Sequence, residues 1–222
     1  MSLPSFPPLL HGQATVDAPL TVAVDMARAG CDGGTLVYNL TGNALHAAIV
    51  FAPEVSLTAA MAMLPVCGIG FQNALGAIAP PEVAVHIKWD GTIMVNGAAC
   101  GGLRAVAATC PPDQTPDWLV VGVTVPIWDA NDAPGDTPDV TSLYAEGCGD
   151  LAAIDLLEAW ARHTLVWINR WMDEGAKPIH NEFSGLWHKD GDAIGLDADF
   201  GLLRKSGDIT TVTPLTDVLE TL

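Results

Sequence analysis

The sequence predicts an α+β protein: antiparallel strands and helices in separate stretches, plus a small β module at the C-terminal end. Three observations lead there. Asp90-Gly91 and Asn96-Gly97 are both two-residue hairpin signals, because a type I′ turn needs positive φ at both central positions. They divide 83–107 into three short apolar runs, Val83 to Trp89, Thr92 to Val95 and Ala98 to Ala107, which read as an antiparallel meander. Leu151 to about Asp173 carries Ile154, Leu157, Ala161, Leu165, Ile168 and Met172 at helical spacing, a core-facing stripe. Beyond Asp192 the chain turns to short β-prone runs separated by Asp and Gly.

Taken in order, residues 1–21 are proline-rich and read as an irregular arm lying on the domain. Val22 to Ala29 suits a short helix ended at Gly30, and Thr35 to Asn39 and Ala44 to Ala52 suit a buried hairpin. Ser56 caps an expected helix reaching about Ile78, interrupted or kinked at Pro65. Asp117 to Trp128 is apolar enough for a strand buried on both faces, and 129–142, rich in Asp, Pro, Gly and Thr, reads as a mobile loop. The long helix should be capped by Asp150 and end near Gly175, with Trp160, Trp167 and Trp171 widening its buried face. Met61, Met63 and Met172 read as gap-filling core residues. A connecting segment with His180 and His188 leads to three tail strands, Ala193 to Asp197, Phe200 to Lys205 and Ile209 to Val212, too few to stand undocked. The expected division is an arm over 1–21, a main domain over 22–188 and the β module over 189–222.

Composition excludes several classes. A net charge of −17 and a pI near 4.3 repel nucleic acid and anionic membrane surfaces, so neither is an expected partner. No apolar run of about 18 residues is evident, and the N-terminal stretch lacks a basic region ahead of its prolines, unlike a signal peptide. The five cysteines are scattered without a C-x-x-C pair, which points to a reducing cytoplasm. Walker, G-x-S-x-G and H-E-x-x-H patterns are absent; His180, His188, Asp190 and Asp192 are too irregularly spaced for a metal set, and no metal site is expected.

Of the nine Lys and Arg, only Arg28, Lys88 and Arg104 precede residue 151, and two of these lie on the outer strands of the meander. Both could be solvated strand residues, or they could form an anion site over a strand laid bare by Gly101-Gly102. Ile87-Lys88-Trp89-Asp90, then Val95-Asn96-Gly97, then Cys100-Gly101-Gly102-Leu103 resembles the core of biotin protein ligases, where a Lys-Trp-Pro-Asn-Asp hairpin precedes Asn-Gly and a Gly-Gly-Ile-Leu strand. Asp90-Gly91-Thr92 departs from the Pro-Asn-Asp part. Gly33-Gly34-Thr35-Leu36-Val37 resembles the Glu-Gly-Thr-Val-Val strand of biotin and lipoate ligases, and Gly42-Asn43 their Gly-Asn-Leu strand. Ser142-Leu143, the long helix and a Gly-Leu-Asp β module also fall in family order, so the resemblance covers about 22 to 222.

That resemblance implies a mixed, mainly antiparallel sheet like that of class II aminoacyl-tRNA synthetases, an SH3-like C-terminal module, and ligation of a carboxylic acid through its adenylate to a lysine of a biotinyl or lipoyl carrier. Activation would need ATP and Mg²⁺. Lys88 matches the family lysine and would pair with the acid or phosphate; Trp89, Gly101, Gly102, Arg104, Gly42 and Asn43 would line the ligand. The family's Gly-Arg-Gly-Arg loop belongs between the strands matching Thr35–Asn39 and Ala44–Ala52, where only Leu40 to Asn43 remain, without arginine. A biotin-like acid or acyl-adenylate is therefore the expected ligand, with ligase activity in doubt, and family precedent allows a homodimer. A non-enzymatic regulatory module on the same scaffold is the alternative. A third is an acyltransferase using Cys100 as nucleophile with His86 and Lys88 nearby, against which stands an inert buried thiol.

Overall fold

A computed structural model of the chain describes residues 3–40, 43–128, 139–189 and 191–222. Seven strands form the main sheet: His11–Ala14 (β1), Thr35–Asn39 (β2), Ala44–Phe51 (β3), Val85–Ile87 (β4), Thr92–Val95 (β5), Ala98–Ala107 (β6) and Leu119–Pro126 (β7). Their order is β1-β2-β3-β7-β6-β5-β4, with every neighbour antiparallel except β1, which lies parallel to β2. The sheet is thus mixed and mainly antiparallel, as expected. β7 sits at its centre between β3 and β6 and is buried along nearly its whole length, which is why it reads as a continuous apolar run.

One face of the sheet is covered by Met63–Ile78 (α3, preceded by the single turn Leu57–Ala60, α2) and Ala153–Glu174 (α4). These two helices cross closely: a Cβ on Gly70 would overlap Thr164. Trp160 is fully buried there and donates from Nε1 to the Cys67 carbonyl at 3.1 Å, and Trp167 donates to Asn73 Oδ1 at 2.9 Å. The opposite face holds Pro19–Arg28 (α1), whose Ala23, Val24 and Ala27 pack on Val37, Ala48 and Val120.

Several local expectations are corrected. The arm is not irregular throughout: residues 11–14 form an edge strand, and α1 begins at Pro19, a residue whose fixed φ suits the first helical position. Only Asn96-Gly97 has both φ values positive; Asp90 does not, and Lys88–Gly91 instead closes a longer turn with Gly91 alone left-handed and Asp90 Oδ1 accepting from the Thr92 amide. The helix expected from Ser56 does have its Ser56 cap and is interrupted as expected, the break falling at Met61–Ala62, where the Pro65 ring would meet the carbonyl four residues earlier. Leu57–Ile78 together are long and apolar enough to cross a membrane by length and composition, which the sequence reading missed; 72% of the most apolar window is buried against the protein's own core.

Asp150 does not cap α4, which starts after Ala152, and Met172 is exposed rather than core. The connecting segment is a helix, Ala176–Leu186 (α5), its apolar face held by Ile179 and Phe183. The tail gives Ala193–Leu196 (β8), Leu202–Ser206 (β9) and Ile209–Thr213 (β10) in one three-stranded antiparallel sheet. It is docked by Phe200, which packs on Phe183 and whose carbonyl accepts from Trp89 Nε1 at 2.8 Å. A 3₁₀ turn at Leu215–Val218 follows, and Leu219 then bridges to Ala105 of β6. Of the expected loop at 129–142, residues 129–138 lie outside the described residues.

Candidate functional site

The apolar contact of α1 with the sheet stops at its first turn, where Leu20 packs over Gly122, and beyond that point the sheet face turns polar. Strand register lines up Asn39, His46, Thr124, Gly102 and Thr92 as one rung across five strands. This rung is the floor of a cleft of about 1020 Å³, walled by Val16 to Thr21 on one side and by Asp217 to Leu222 on the other.

Each floor residue has a definite environment. The Asn39 side-chain amide donates to the Val16 carbonyl at 3.1 Å, tying the entering chain to the rung. His46 Nδ1 lies 3.2 Å from Thr124 Oγ1, which fixes the ring. Burial pulls the His46 pKa below its ordinary value, so the imidazole is neutral near neutral pH. Gly102 supplies no side chain, leaving open space between Thr124 and Thr92.

The lowered His46 pKa has a consequence for stability. The unfolded chain takes up this proton first as pH falls, so the His46 contribution is flat above about pH 6.5 and declines below it, through the lowered folded-state value. His163, lowered by burial and then by Arg162, adds to the same decline. Urea titrations from pH 7.5 to 5 should therefore show a falling midpoint, and His46→Gln should flatten part of the slope.

The Gly101-Gly102 pair is explained by the sheet itself. Thr92 pairs with Gly102 and Met94 with Ala99, so β6 carries an extra residue, a bulge at Cys100-Gly101. Gly101 has φ +82° and a Cβ there would overlap the Thr124 carbonyl, while a Cβ on Gly102 would lie 3.2 Å from the Gly91 carbonyl. The close approach is by neighbouring backbone, and both glycines still face the cleft.

Charge in the cleft is lopsided. Among the described residues Arg104 is the sole Lys or Arg lining it, and it pairs with Glu220 through Nε at 3.3 Å. Asp17, Asp90, Asp217 and Glu220 also line it. The first turn of α1 lines it too, with Ala18 at the N-cap and no side chain capping the amides.

The sequence-predicted residues divide. Arg104, Gly101 and Gly102 meet at this cleft. Lys88 and Trp89 do not line it: they line a separate crevice of about 100 Å³ with Trp187, Ala193 and Arg204, and Asp90 borders both spaces. The Trp89 indole is engaged in holding the C-terminal module. Asn43 is exposed and its carbonyl accepts from the Ile127 and Trp128 amides; Gly42 lies outside the described residues.

Cys100 faces the opposite side of the sheet, in the core beneath α3 and α4. Burial, then Glu146 and Cys148, push its thiol up to about 12, and it cannot supply a thiolate to the cleft. His180 stacks near Phe200 whereas His188 meets His86 edge-on, so the two do not converge, and among the described residues no group of three His, Cys, Asp or Glu is placed to hold a metal ion. Sequence reasoning missed Asn39, His46, Thr124 and Glu220. A signal existed for two of them: His46 and Thr124 are each the lone strongly polar residue within an apolar strand.

The profile of the Biotin/lipoate A/B protein ligase family matches residues 6–185. Among solved structures, a biotin protein ligase-like protein of unknown function from Silicibacter sp. TM1040 is 52% identical, with 99% of this chain and 100% of that one covered and a TM-score of 0.92. The Aquifex aeolicus biotin protein ligase in complex with biotin and ATP is 15% identical over 92% of this chain and 95% of that one, TM-score 0.69. The Leishmania major biotin protein ligase in complex with biotinyl-5-AMP is 18% identical over 93% and 98%, TM-score 0.57. No functionally curated protein matches. Profile and 52% identical relative agree, and the chain belongs to the biotin/lipoate A/B protein ligase family.

Proposed function

We propose that this chain binds a small carboxylic acid, or an acyl-adenylate-like ligand, in the cleft over the Asn39–Thr92 rung, and that ATP-dependent adenylation is lost or very weak. The charge balance of the cleft carries this reading: among the described residues, one guanidinium, already paired, against four carboxylates. A triphosphate with its Mg²⁺ draws on several cations and aligned amides. Here β2 passes to β3 through residues 40–43 alone, which contain no arginine where family ligases carry their Gly/Arg loop.

A monocarboxylate asks less. One guanidinium and the uncapped first turn of α1 suffice to orient it, with its body over Gly102. Arg104, Gly101 and Gly102 hold the ligand in this scheme. Lys88 and Trp89, across Asp90, together with Gly42 and Asn43 at the head of β3, would serve only an adenylate or a carrier that reaches past the cleft. The three-stranded C-terminal unit is the counterpart of the family's SH3-like module, a biotinyl or lipoyl carrier the macromolecular partner, a homodimer the assembly, and the cytoplasm the compartment.

Thermal shift with biotin, lipoate, octanoate and their adenylates tests it. At least one should raise Tm, by about 5–10 °C at a hundredfold excess over Kd. Arg104→Gln should abolish the shift, and Lys88→Ala should reduce it for adenylates only. ATP–pyrophosphate exchange in the presence of the same acids should be absent or very slow. A second reading, a non-enzymatic module that presents the scaffold to another protein, draws on the occupation of Arg104 by Glu220. Silence with every acid and adenylate would overturn the first reading in favour of the second.

A further inference from the structure

We infer that Glu220 is an internal stand-in for the ligand's carboxylate, so that an entering acid displaces it from Arg104. This rests on the acid-binding reading above. The segment carrying Glu220 is held by its backbone: Leu219 bridges Ala105, the Glu220 amide donates to the Ala105 carbonyl at 2.9 Å, and Arg28 donates to the Leu222 carbonyl oxygen at 2.7 Å. Those bonds bring the Glu220 carboxylate to the Arg104 guanidinium, and among the described residues its side chain makes no other bond.

The pair is also replaceable. The Arg104 side chain is 65% exposed and that of Glu220 35%, so solvent screens their attraction and a carboxylate arriving from the cleft competes on nearly equal terms. Release needs only a rotation of the Glu220 side chain; the backbone ladder to Ala105 persists. The freed carboxylate then stands beside Asp217 at the cleft wall, an acidic rim that favours ligands with one negative group over those with several.

The test compares acids with their neutral primary amides. Binding of octanoate, lipoate and biotin, and of octanamide, lipoamide and biotinamide, is measured by calorimetry on the full chain. In Glu220→Gln, which keeps the shape and the backbone bonds, the acid that binds should do so about two- to fivefold more tightly, the range an exposed ion pair can impose. Its amide should be unchanged, and Arg104→Gln should remove the distinction between acid and amide. Equal acid affinity in wild type and Glu220→Gln would overturn the stand-in role while leaving the acid-binding reading intact. An equal gain for acid and amide would overturn it too, as a mere opening of the cleft. No acid binding to either protein would overturn both.

Discussion

Trp160→Ala should destabilise the protein by about 4–6 kcal/mol, a large fraction of what holds a domain together. Trp160 is fully buried in the seam between α3 and α4, so truncation removes its apolar contacts and leaves a cavity that two long helices cannot close. It also strips the Cys67 carbonyl of its indole donor, which is at 3.1 Å. Urea denaturation should show a much lower midpoint with little change in slope. Trp160→Phe separates the two causes: it keeps most of the volume and should cost about 1–3 kcal/mol. Trp171→Ala, half-buried at the far end of α4, should cost clearly less than Trp160→Ala. Near-equal losses at 160 and 171 would contradict a tightly packed seam.

Gly101→Val should cost about 3 kcal/mol or more, which for a chain of this size lowers Tm by roughly 6–12 °C. Two effects add. The backbone at φ +82° is left-handed, which a β-branched residue adopts badly, and the new Cβ would overlap the Thr124 carbonyl of β7. Gly97→Ala is the control, since Gly97 has φ +94° but nothing within 4 Å of its would-be Cβ, and it should lose only about 1 kcal/mol. The excess at 101 measures how firmly β6 is clamped to β7 at the bulge. Because Thr124 is also in the cleft floor, the same substitution should weaken any ligand that lies across the rung, even well below the melting temperature.

What could be read from the sequence follows from how local each signal is. Asn96-Gly97 specifies its own turn, and the meander 83–107 appears where its runs and breakers put it. β7 announces itself because burial on both faces leaves no room for polar side chains apart from Thr124. β1 was invisible because an exposed edge strand of four residues is held by pairing with β2 and needs no apolar pattern. α5 was passed over because Pro178 and Gly185 disguise a helix whose buried stripe is only Ile179 and Phe183. In the cleft, the paired glycines were legible through the family resemblance and Arg104 through the scarcity of cations ahead of residue 151. The placing of Lys88 in a different crevice was not, since it depends on how the turn at 88–91 bends and on where the C-terminal sheet docks. Nor was the rung, because register between β2, β3, β7, β6 and β5 is a property of five separated segments at once.

The run of the last residues along β6 has a practical side. Leu222 sits at the cleft and is gripped there by Arg28. Any bulky label coupled at position 222 would stand at the mouth and crowd the entrance. For ligand screens a label is better placed near residues 3–6, which approach Glu158 of α4 on the far side of the sheet, where the Ser5 amide donates to that carboxylate at 2.7 Å.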